Sequence, residues 1–121
     1  MIDCMIVGAG GCIGAVCRYL IGLIPLKEGS IFPIKTCIIN ILGCFVIGMI
    51  AAYAAKNTSL HPRLILFLKV GICGGFTTFS SFALETGDLL ERGNVGTALL
   101  YAVLSMTVGV IAVFAGQQIV R

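Results

Sequence analysis

Four apolar stretches dominate this chain, at residues 2–24, 34–55, 64–90 and 95–120, with only short polar connectors between them. Each reaches the roughly 20 residues that a helix needs to cross the hydrocarbon of a bilayer. Charged residues make up 11% of the chain and hydrophobic residues 59%, whereas a soluble domain carries about 25% charged residues. The 121 residues therefore read as one membrane domain of an all-α integral membrane protein with four transmembrane helices. The formal charge of +3 is dispersed, with no basic run suited to nucleic acid. Tryptophan is absent, so interfacial aromatic anchoring falls to Tyr19, Tyr53 and Tyr101.

The third stretch carries an interruption. Residues 71–82 read GICGGFTTFSSF, and the Gly74-Gly75 pair is poor in a helix interior, at about 1 kcal/mol per glycine against alanine. Thr77, Thr78, Ser80 and Ser81 follow, interleaved with Phe76, Phe79 and Phe82. The expectation is a third helix broken mid-membrane near residues 73–79, tolerated where protein or a water-filled cavity covers the freed backbone groups. Broken helices of this kind line ion and substrate sites in transporters. The competing reading is a kinked helix whose hydroxyls bond back to the preceding turn.

In the first stretch, Gly8 and Gly10 fit part of a dinucleotide loop, but Ile13 stands where the third glycine belongs and no strand precedes them. Close helix packing explains these glycines better, because small residues let backbones approach in lipid. The stretch lacks the basic start and small-residue cleavage site of a secretory signal. Arg18 either snorkels to the interface or lines an aqueous anion vestibule. Asn40, four residues after Thr36 and so on the same helix face, is either interhelical glue or part of a hydrated path. Glu85, Asp88, Glu91 and Arg92 read as a solvated helix end. The six cysteines show no CxxC pair and read as reduced packing residues.

Four spans place both termini on one side of the membrane. That side carries Lys56, Arg63 and Arg121, the other Lys27, Lys35 and Arg92, with Lys69 too deep to count. A near-tied vote declares no orientation. A chain without a charge bias inserts both ways round, and opposed copies then pair in an antiparallel dimer.

The chain resembles the Fluc (CrcB) fluoride channels along nearly its whole length. Gly11 to Tyr19, reading GCIGAVCRY, is similar to the first-helix motif of that family, and Asn40 to Phe45, reading NILGCF, to its second-helix motif. Gly74 to Phe82, reading GGFTTFSSF, resembles its most specific signature, with Ser81 where threonine is usual. The resemblance implies a fluoride-selective channel of the cell (inner) membrane that exports fluoride passively and relieves its toxicity. It implies an antiparallel dual-topology homodimer with two pores, and a structural sodium ion at the dimer centre held by the backbone carbonyls of Gly74 and Thr77. It assigns Asn40, Phe79 and Phe82 to the pore, Ser80 and Ser81 beside them, and Arg18 to the vestibule. Thr36, Tyr101 and Ser105 become a polar track, with Gly109 where the family can have a further hydroxyl.

The chemistry is consistent with those assignments. Fluoride is small and strongly hydrated, so a pore must replace lost water with donors that do not trap the ion, which Asn, Ser, Thr and Tyr supply. A phenyl ring presents a positive edge to an anion, although an isolated pair of phenylalanines is commoner as core filler. Carbonyls freed at a helix break suit a hard cation. Two other readings remain: a small four-helix proton-coupled exporter, which needs a carboxylate within the membrane, and a non-conducting membrane assembly subunit. The sequence shows no nucleophile–base pair, so an enzyme is not expected.

Overall fold

The computed structural model describes residues 1–27 and 29–121, leaving the connector residue Glu28 outside the description. The described chain is all-helical. Helix α1 spans Ile2–Gly22 and α2 spans Ile34–Lys56. The third crossing is assembled from α3 (Pro62–Leu66), a π-helical segment (Phe67–Cys73), α4 (Gly74–Phe76) and α5 (Phe79–Glu91). Helix α6 (Val95–Val120) follows. Ile2–Gly22, Ile34–Lys56, Pro62–Glu91 and Val95–Val120 are each long and apolar enough to cross a membrane. That is the multi-pass pattern expected from the apolar runs.

Local chemistry sets the ends of the third crossing. Pro62 occupies the first helical turn, where its missing N–H is no loss, and the His61 ring accepts from the Arg63 amide at 3.1 Å. At the far end Gly93 takes φ +79°, Gly93 N–H donates to Leu90 O at 3.0 Å, and Asn94 N–H donates to Leu89 O at 2.8 Å. This paired closure requires a left-handed residue, which glycine supplies. The helical path is lost at Thr77 (ψ 157°) and Thr78 (φ −147°, ψ 115°), both extended.

That interruption reroutes the chain between neighbours. Before it, the π segment and α4 pack on α1; after it, α5 packs on α6, while α2 and α6 form the most extensive pair. Glycines permit the first contact. A Cβ on Gly10 would lie 2.8 Å from the Gly71 Cα, and one on Gly75 would lie 2.9 Å from the Gly11 Cα. Close packing, expected for the first-helix glycines, is what Gly10 and Gly14 do, both buried against the backbone of the third crossing, whereas Gly8 is exposed, with nothing within 4 Å of where a Cβ would lie. The termini gather at one end, where Arg63 pairs with Asp3 at 2.8 Å and the Lys56 ammonium donates to the carbonyls of Val120 and Arg121.

Candidate functional site

A continuous helix would have used the Thr78 amide to bond Gly74 O, and the Phe79 amide to bond Gly75 O. At the break these links are replaced from other helices. Thr78 N–H donates to Asn40 Oδ1 at 2.7 Å, Asn40 Nδ2 donates to Thr78 O at 2.9 Å, and Arg18 Nε donates to Gly75 O at 3.2 Å. Thr78 Oγ1 accepts from the Ser81 amide at 3.2 Å and caps the new helix. Among the described residues, the carbonyls of Gly74 and Thr77 accept no hydrogen bond. Asn40 is therefore a clamp, holding one extended residue from both sides with one amide hydrogen left over. The Thr77 hydroxyl bonds back to Cys73 O at 2.9 Å, which is the kink chemistry weighed against a functional break.

Glu85 departs from the sequence expectation of a solvated helix end. Asp88, Glu91 and Arg92 are exposed, but Glu85 is half-buried. Its carboxylate accepts from Thr36 Oγ1 at 2.6 Å and from Tyr101 OH at 2.7 Å. Tyr101 is fully buried, with Phe32 and Phe82 edge-on to its ring at centroid distances of 5.3 and 5.1 Å. The physical reason is placement. Three residues beyond Phe82, Glu85 shares its helix face, and that face turns toward α6 and the start of α2. Thr36 and Tyr101 are thus brought together through a carboxylate that engages both hydroxyls. Ser105 lies apart from that trio, at 3.9 Å from the Cys37 Sγ.

The two phenylalanines are not equivalent. Phe82 packs into the core around Tyr101, whereas Phe79 is 76% exposed, its ring 5.7 Å from that of Phe82 and tilted by 45°. Ser80 is exposed and Ser81 half-buried, both within reach of the Thr78 hydroxyl.

Two cavities meet at the Asn40–Thr78 clamp. One, of about 370 Å3, is bordered by Arg18, Lys35, Thr36, Thr78, Ser81 and Glu85. Beside it a second pocket shares Lys35, Thr36 and Glu85 and adds Lys27. The other, a groove of about 340 Å3, is bordered by Asn40, Thr77, Thr78, Phe79, Phe82 and Ser105 among others. Lys35 also closes the first cavity structurally, donating to Gly22 O at the end of α1 at 2.8 Å. Cations gathered around a cavity raise the local concentration of anions, and the clamp and hydroxyls provide the donors a dehydrating anion needs. Glu85 was the residue sequence reasoning missed; its only signal was its register with Phe82.

A family model described as "CrcB-like protein, Camphor Resistance (CrcB)" matches residues 5–117. A protein of Nitrobacter winogradskyi named "Fluoride-specific ion channel FluC" is 47% identical over 116 residues, covering 95% of this chain and 92% of its own. Proteins of the same name from Agrobacterium fabrum and Azobacteroides pseudotrichonymphae are each 42% identical. They cover 100% and 92% of this chain, and 98% and 90% of their own lengths.

Proposed function

Because the chain belongs to the CrcB-like family, we propose that it is a fluoride-selective channel, carrying fluoride passively across the cell (inner) membrane and so relieving its toxicity. Its curated relatives bear the name of an ion channel, a class that transports and does not catalyse. One observation carries the reading: a cation-bordered cavity and a phenylalanine-bordered groove that both border Thr78, at a helix break that side chains hold open. An anion enters beside Arg18 and Lys35, exchanges water for the donors of Ser81 and Thr36, and passes the spare amide hydrogen of Asn40, while the Tyr101 hydroxyl of the polar track stays behind Glu85. Beyond the clamp lie Ser80, Ser105 and the ring edges of Phe79 and Phe82. Thr36 and Tyr101 already donate to Glu85, so an anion in this stretch competes with that carboxylate. Binding here is accordingly shallow, as conduction requires.

The break also fits a structural sodium ion. The carbonyls of Gly74 and Thr77 accept no hydrogen bond among the described residues, while those of Gly75 and Thr78 are taken. Hard cations favour such neutral oxygens, and a bound sodium would supply fixed positive charge that holds the break together. Two opposed copies meeting on a two-fold axis offer four such carbonyls and two pores, which fits an antiparallel dual-topology homodimer. The break then lies mid-membrane.

Glu85 gives the proton-coupled exporter a half-buried, hydrogen-bonded carboxylate that the sequence did not promise it. Fluoride efflux from proteoliposomes, followed with a fluoride electrode, separates the two readings. The channel dissipates a fluoride gradient with no proton gradient present. Efflux that requires an imposed proton gradient identifies an exporter, and absence of efflux from folded protein overturns both.

A further inference from the structure

One membrane-buried cation has no place in the path described so far. Lys69 lies seven residues into the third crossing, within Pro62–Glu91, or about 10 Å along the helix axis from Pro62. It is half-buried, and among the described residues its ammonium makes neither a hydrogen bond nor an ion pair. An ammonium placed so within a span is costly unless it faces a watery cavity. Lys69 borders the groove of about 340 Å3, together with Asn40, Ile47, Thr77 and Phe79. Among the described residues, no carboxylate borders that groove.

Position along α2 separates the two cationic regions. Lys35 and Thr36 border the first cavity and precede Asn40; Gly43, Cys44 and Ile47 border the groove and follow it. Lys69 therefore stands beyond the clamp, on the side where the termini gather, away from Arg18 and Lys35. Its backbone belongs to the π-helical segment Phe67–Cys73, where the Gly74 amide bonds back to Lys69 O across five residues. Extra residues per turn of this kind change which side chains face a neighbour and recur at functional sites.

We infer that Lys69 is the cation of the second mouth of the anion path, drawing fluoride to the groove end as Arg18 and Lys35 do to the other. This rests on the channel reading above. The charge acts through a water-filled mouth, so its effect is screened by salt, while a packing role or a lysine that merely snorkels to the interface is not.

The test measures fluoride efflux per folded protein from liposomes holding wild type, Lys69→Met or Lys69→Arg, with an impermeant salt setting ionic strength. At low salt, Lys69→Met lowers flux by about threefold to tenfold, and Lys69→Arg keeps it near wild type. Near 1 M salt, where the Debye length is about 3 Å, the deficit closes. Wild-type flux in Lys69→Met at low salt overturns the inference, as does a deficit of equal size at every salt concentration. If Lys69→Met does not fold, Lys69→Gln compared with Lys69→Arg is read by the same criteria. Loss of flux in wild type itself is a separate outcome, which removes the channel reading and this inference with it.

Discussion

Tyr101 shows how much one side chain organises here. Its hydroxyl donates to Glu85 and its ring is met edge-on by Phe32 and Phe82, all with no exposed surface. Tyr101→Phe keeps the ring packing and leaves Glu85 Oε2 short of a donor. A hydrogen bond to a charged group contributes about 1.5–3 kcal/mol, and water reaches this half-buried carboxylate, so unfolding in detergent should show a loss toward the lower end of that range. Combining it with Glu85→Gln should give a coupling of about 0.5–3 kcal/mol in a double-mutant cycle. Additive losses would mean that the hydrogen bond contributes nothing specific. Asn40 was legible as a costly polar residue in an apolar span, and its two bonds to Thr78 are those of interhelical glue. Glu85 was not legible, because its partners Thr36 and Tyr101 lie 49 and 16 residues away on other helices.

At the level of elements, the sequence declared most of what is local. Four apolar runs of spanning length became four crossings, and a Gly-Gly pair followed by hydroxyls became an interruption at Thr77 and Thr78. The π-helical segment had no comparable signal, since apolar residues suit either helical period. Nor did any short-range pattern disclose the Arg18 bond to Gly75, which joins residues 57 apart. The glycines offer an internal control on helix packing. A Cβ on Gly14 would meet the Ile72 carbonyl and sit 2.7 Å from the Phe76 amide, while one on Gly87 has nothing within 4 Å. Gly14→Ala forces backbone apart and should cost about 1–3 kcal/mol or more. Gly87→Ala, in open space within α5, should gain up to about 1 kcal/mol. Thermal unfolding of both variants in the same detergent checks the contrast, and equal effects would remove the backbone-contact explanation.

For the whole molecule, the proposed antiparallel pairing is the arrangement to test, since apolar surface on a spanning bundle is met by lipid or by a second copy. Phe79 is 76% exposed beside the groove, and, Arg18 and Lys69 within the spans aside, the lysines and arginines are divided three against three between the two ends. Both fit opposed copies meeting across the break. Single cysteines placed in the connector between α2 and α3, in a background lacking Cys4, Cys12 and the other native thiols, should label from both sides of the membrane. Labelling from one side only would refute dual insertion and leave Phe79 facing lipid.

The pairing of the third crossing with two different neighbours also bears on synthesis. A ribosome delivers α1 before the π segment and α4, so that contact can close early. The partner of α2 and α5, however, is α6, a 26-residue helix that emerges after both. Until then Glu85 waits without Tyr101, and the phenylalanine-bordered groove lacks Ser105 and Met106 from its wall. The contact of α1 with the third crossing can thus form first, while the wall of the groove is completed only after α6 has emerged.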